Sequence, residues 1–107
     1  MMKARNNKNN DALIKAVLAL KNSSEAKKFL RDLLTAPELK EFGSRWLAAK
    51  MLAQKVPYSL IQSKTGLSST TVARISKWLN KGKGGYKLMI NRLSHHHTNS
   101  SSKKGLA

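Results

Sequence analysis

Ser69, Thr70, Thr71, Arg74 and Lys77 recur along one face of a helix-periodic stretch. Short hydroxyls permit close approach to a polar edge. A guanidinium or ammonium group binds a phosphate or the acceptor pair of a guanine, so the set suits hydrogen bonding inside a DNA major groove. Gln62, Lys64 and Ser68 lie just before this face, and Lys81 and Lys83 just after it. The expected division of labour puts Lys64, Lys77, Lys81 and Lys83 on phosphates and Ser69, Thr70, Thr71 and Arg74 on base edges, with Gln62 and Ser68 completing the contact set. A polar helix face also serves merely as solvated surface, so the pattern needs support from the rest of the chain.

Bond-making chemistry has no comparable set. His95, His96 and His97 are the only histidines; consecutive ones point in different directions, and no carboxylate follows Glu41 to complete a metal shell. Glu38 and Glu41 share a surface helix turn, and the serines lack a histidine base within the region expected to fold. Cysteine is absent, which excludes a disulfide framework and thiolate ligands. The expectation is a protein that is not an enzyme and holds no metal or resident cofactor.

The element that positions the polar face is residues 57–80, a short helix, a glycine turn and a second helix. Pro57 suits the start of the first helix, where its missing N–H would be unpaired anyway. Ile61 and Thr65 face inward. Gly66 stands where the helix must stop in a left-handed conformation that costs glycine little. Leu67 plugs the corner, and Ser68 or Ser69 caps the next helix. Val72, Ile75, Trp78 and Leu79 are its expected buried stripe. Gln62 and Thr65 depart from the usual helix-turn-helix pattern, which favours a small and an apolar residue at those places.

Charge supports the nucleic-acid reading. The formal net charge is +16, from 21 basic and five acidic residues among 107. All five acids lie in the first 41 positions, whereas residues 42–107 carry twelve Lys/Arg and none. Such one-sided charge repels itself unless a polyanion compensates, and each neutralised phosphate releases condensed counterions. An acidic membrane surface is a second candidate polyanion, but no run of about 18 apolar residues is present to span a bilayer. The asparagine-rich start lacks the apolar centre of a signal peptide, so the expected location is the cytoplasm, at the nucleoid.

The length suits one domain with tails. The expected divisions are a flexible basic arm over residues 1–9, a helical domain over 10–93 and a disordered tail over 94–107. Leu13, Ala16, Val17 and Leu20 mark a first helix capped by Asn10 or Asp11. A serine of Asn22-Ser23-Ser24 opens a second, carrying Phe29, Leu30, Leu33 and Leu34. Thr35-Ala36-Pro37-Glu38 is a capping box that starts a third, expected from Ala36 to Lys55. That helix sets Leu39, Phe42, Trp46, Ala49 and Ala53 on one face, with Leu47, Ala48, Met51, Leu52 and Val56 beside it. So wide an apolar surface exceeds what one small domain can cover, and implies burial between two subunits. Lys81-Gly82-Lys83-Gly84-Gly85 reads as a connector that also suits contact with DNA backbone. Leu88, Met89, Ile90 and Leu93 then form a short last helix, expected to dock on the other subunit.

Leu33-Leu34-Thr35, Gly43-Ser44-Arg45, Thr65-Gly66-Leu67 and Thr71-Val72-Ala73-Arg74 together resemble the Trp repressor superfamily. The string from Leu79 to Lys87, Leu-Asn-Lys-Gly-Lys-Gly-Gly-Tyr-Lys, is similar to its YerC/YecD-type branch. The similarity covers residues 11–93. It implies an all-α, six-helix intertwined homodimer that presents two recognition helices to a palindromic operator in double-stranded DNA, as a transcription regulator and most simply a repressor. The superfamily's co-repressor pocket would fall on Thr35, Arg45 and Arg74. Ile75 and Trp78 stand where Trp repressor has glycine and serine, and these large apolar residues are expected to fill the indole's cavity. Free tryptophan is therefore not the expected effector, while another small-molecule co-repressor stays open.

Two rival functions fit parts of the chain. A basic RNA-binding or ribosome-associated protein fits the charge, but RNA modules stack bases on exposed aromatics. Trp46 and Trp78 are expected on buried stripes, leaving Tyr58 and Tyr86. A protein-interaction subunit such as an antitoxin would use the wide third helix on a different partner.

Overall fold

The structure is a computed structural model that describes residues 2–94, with side chains from residue 7 onward. Regular structure among these residues is wholly helical: α1 (Met2–Ala19), α2 (Ser23–Leu33), α3 (Ala36–Ala53), α4 (Tyr58–Thr65), α5 (Ser69–Lys81) and α6 over residues 85–94. The chain divides into two compact units, Met1–Leu39 and Lys40–Ala107.

In the first unit, α1 starts well before the expected cap at Asn10 or Asp11, so the arm expected over residues 1–9 is helical from Met2. Lys3, Ala4, Arg5 and Lys8 are favourable helix formers, and no glycine or proline interrupts them. Extending a nucleated helix is far easier than starting one, so the chain continues the helix backwards. The cap of α2 is Asn22, not a serine: its Oδ1 accepts the Glu25 N–H at 2.9 Å, while Glu25 Oε1 accepts the Lys21 N–H at 2.9 Å. The capping box of α3 forms as expected. Glu38 N–H donates to Thr35 Oγ1 (3.2 Å) and Thr35 N–H donates to Glu38 Oε1 (2.9 Å). The Thr35 N–H bond first, and the Thr35 side chain second, hold the Glu38 carboxyl below its ordinary 4.5.

The second unit contains the core. Ala48 and Ala49 of α3, Ile61 of α4, and Val72, Ile75 and Leu79 of α5 are buried. Trp46, Met51, Leu52, Val56, Leu67, Tyr86 and Ile90 pack around them. Ala48 and Ala49 join Ile61, Val72 and Ile75 in one buried cluster, and α4 and α5 pack directly on each other. Helix α3 ends at Ala53, two residues short of the expected Lys55, because Lys55 turns into the left-handed region at φ 64° and Val56 N–H returns to the Met51 carbonyl.

Several positions expected on apolar faces are exposed in the single chain, among them Leu13, Val17, Leu33 and Leu47. Trp78 is 43% exposed. Ile75 and Leu79 define the centre of the buried stripe together with Val72, and at 100° per residue Trp78 falls on its flank. Phe42, expected on the apolar face of α3, is likewise exposed. The last helix is longer than Leu88–Leu93, and Ser94, expected in the tail, is its last described residue. The rest of the expected tail, with His95, His96 and His97, lies outside the described residues.

Candidate nucleic-acid interface

The turn between α4 and α5 is built from local bonds. Pro57 is the residue before α4 rather than inside it, with φ −61° and ψ 147°. Gly66 ends that helix at φ 76°, its N–H bonded to the Gln62 carbonyl at 2.8 Å. Thr65, at a place that usually favours an apolar side chain, is satisfied without water. Its hydroxyl donates to the Ile61 carbonyl (2.7 Å) and accepts the Leu67 N–H (3.2 Å), so it pins the corner from both sides. Ser68 caps α5 by accepting the Thr71 N–H at 3.1 Å, and its own hydroxyl donates to Thr71 Oγ1 at 3.0 Å.

The structure separates the expected contact set into two groups. Thr70, Arg74, Lys77 and Lys81 are all exposed and follow one another four, three and four residues apart, so they line one outward edge of α5. Ser69 is exposed beside them in the first turn. Ser68 and Thr71 use their hydroxyls on each other and on the cap, which makes them positioning residues for that edge. Lys64 is exposed in the last turn of α4, Gln62 is half-buried two residues earlier, and Lys83 is exposed in the loop after α5. Gly82 ends α5 tightly, since a Cβ there would collide with the Trp78 carbonyl oxygen.

The candidate effector residues have separate environments. Thr35 is exposed and engaged in the capping box. Arg45 donates from Nη2 to Glu41 Oε2 at 2.7 Å, while its Nε is buried without an acceptor among the described residues. Arg74 points outward with no partner among them. The Glu41–Arg45 pair was visible in the sequence as an i, i+4 spacing and was overlooked there. Also missed was a half-open hollow of about 480 Å³ lined by Trp46, Trp78, Tyr86, Met89 and Lys83. Trp46 stacks on Tyr86 with centroids 6.4 Å apart, and Lys50 Nζ lies 5.6 Å from the Trp46 ring.

A corner of this kind, with a capped second helix carrying an exposed cationic edge, is a helix-turn-helix. The family model described as Trp repressor protein matches residues 8–94. The chain belongs to the Trp repressor family. Its relatives include the uncharacterized protein YerC of Bacillus subtilis, 34% identical over 93 residues, which are 87% of this chain and 89% of YerC. The fold agrees with solved members. The crystal structure of a TrpR-like protein from Eubacterium eligens superposes with a TM-score of 0.76 at 37% identity, covering 78% of this chain and 87% of that one. That of a candidate Trp repressor from Staphylococcus aureus gives 0.77 at 31% identity, covering 81% and 87%. Within the Trp repressor family the chain falls in the YerC-like branch. The family is one of DNA-binding transcription regulators rather than enzymes. No helix among the described residues is long and apolar enough to cross a membrane.

Proposed function

We propose that the chain is a sequence-specific repressor of transcription that binds a palindromic operator as a homodimer, one α5 in each half-site. The observation that carries this reading is the outward edge of α5, where Thr70, Arg74, Lys77 and Lys81 are exposed behind a cap made by Ser68 and Thr71. Thr70 and Arg74 face base edges, with Ser69 beside them, and Lys64, Lys77, Lys81 and Lys83 hold phosphates.

The homodimer is supported by apolar surface. Leu13, Ile14, Val17 and Leu18 make an exposed stripe on α1, and Leu88, Met89 and Leu93 make one on α6. Contiguous apolar stripes on a small soluble chain mark association surfaces. The working location is the cytoplasm, at the nucleoid. Free tryptophan is not the effector in this reading: Ile75 is fully buried within the core, so glycine-sized space at that position is gone. Calorimetry detecting tryptophan at tens of micromolar would overturn that last point.

Selection of binding sites from random duplexes tests specificity and half-site spacing together. A two-fold motif with half-sites about one duplex turn apart is expected, and the absence of any enriched motif refutes the proposal. A second reading, RNA binding, gains from the exposure of Trp78 beside Lys83, because a base could stack there. Competition between the selected duplex and structured RNA at physiological salt separates the two.

A further inference from the structure

A half-open cavity of about 560 Å³ lies on the surface of the second unit, on the side of α5 that carries Ser76, Leu79 and Asn80. We propose that it binds a small organic anion with an apolar body, and that this ligand acts as an effector of the helix-turn-helix. Its size is that of small-molecule sites, which are mostly apolar with a few convergent polar groups. The apolar wall is Leu52 and Val56 from the end of α3, Leu79 from α5 and Ile90 from α6. The polar part is Lys55, Lys87, Tyr58, Ser76 and Asn91. Neither lysine is ion-paired among the described residues, and no acid lines the cavity. A carboxylate or phosphate on an apolar skeleton satisfies both halves at once. A cation would meet two like charges, and a neutral molecule would forgo the attraction of both lysines.

The cavity touches the C-terminal end of α3, the start of α4, the inner side of α5 and α6. A molecule seated there therefore bears on both helices of the DNA-reading corner. Ser76 is a direct chain neighbour of Lys77, which lies on the outward edge. A ligand with different affinity for two settings of α5 shifts DNA affinity by the same factor by which DNA shifts its own. This effector role rests on the DNA-binding reading above; the binding site itself does not.

The test uses the full chain and hexanoate as the probe, with hexanamide as a neutral analogue of equal length. NMR titration should shift the methyl signals of Leu52, Leu79 and Ile90, with hexanamide binding at least about fivefold more weakly and Lys55→Gln and Lys87→Gln each weakening hexanoate by about fivefold. No binding of hexanoate up to tens of millimolar, equal binding of the amide, or shifts confined to other surfaces would overturn the site. A second copy of the chain seated over the cavity would give the first of those results. Separately, saturating hexanoate should change the Kd for the selected duplex by fivefold or more. A duplex bound equally well with and without hexanoate refutes the effector role. If no duplex is bound at all while the methyl shifts and lysine effects appear, the DNA reading fails and the anion site stands.

Discussion

Replacing Arg74 separates recognition from folding, because the side chain is exposed on α5 and makes no hydrogen bond or ion pair among the described residues. Arg74→Ala should therefore change stability by less than about 0.5 kcal/mol. On its selected duplex the same variant should lose about 1–3 kcal/mol per half-site, so a dimer engaging both loses at least tenfold in affinity, with specificity relaxed at the base pair the arginine reads. Lys77→Ala provides the contrast, since a phosphate contact carries no sequence information. It should weaken selected and scrambled duplexes alike and make the log–log salt slope shallower by about two, one phosphate per half-site. Fluorescence anisotropy on both duplexes, from about 50 to 200 mM salt, reads every one of these quantities. If Arg74→Ala weakens both duplexes equally, or lowers the unfolding free energy by more than about 1 kcal/mol, the arginine does not read bases and the outward edge has been misassigned.

Other changes probe the scaffold and the assembly. Gly66→Ala places a Cβ at φ 76° and should destabilise by about 1 kcal/mol, read by urea unfolding; free space around that position leaves backbone conformation as the cause. Ser68→Ala leaves the Thr71 N–H without its acceptor and should cost about 1 kcal/mol in the same assay, with DNA binding lost in step. Glu38 has a folded-state pKa below 4.5, so its contribution is fully present above that value and disappears as pH falls through the lower, folded one. Glu38→Gln should remove this component, and the stability difference between the two proteins should close on acidification below 4.5. Leu18→Asp alters a side chain that is 78% exposed, so it should leave the fold of one chain intact while light scattering shows a dimer converted to monomer.

How much of this was legible in the sequence depended on how local each signal was. The left-handed Gly66, the Ser68 cap and the Thr35–Glu38 box each concern partners within four residues, and the structure forms all three. The start of α1 was misplaced because Asn10 and Asp11 are capping residue types that the chain does not use as caps; with no glycine or proline before them, the helix runs on to Met2. Asn22 was passed over for its serine neighbours although asparagine and serine both cap well. The outward edge of α5 was legible through periodicity, but the bonding of Thr71 to Ser68 was not. Periodicity says which way a hydroxyl points and nothing about whether a neighbour has claimed it.

The more telling disagreement concerns Trp78 and Phe42, which the apolar pattern assigns to an interior and which the single chain leaves exposed. Hydrophobic periodicity reports the surface a sequence is built to remove from water, whatever removes it; burial within one chain reports only the part that the chain covers itself. The positions on which the two differ are thus a map of what a partner must cover. In the proposed dimer they are Leu13 and Val17 on α1, Leu33 on α2, Phe42 and Leu47 on α3, Trp78 on α5 and the α6 stripe of Leu88, Met89 and Leu93. That set makes a sharper demand than the presence of a dimer alone. Phe42→Ser and Leu88→Ser should each weaken dimerisation while barely altering the unfolding of isolated chains. Leu60→Ser, exposed on α4 outside that set, should leave the dimer intact. Equal effects of all three on sedimentation would mean that the exposed apolar positions are scattered surface and that the recognition helices are not held in register by this face.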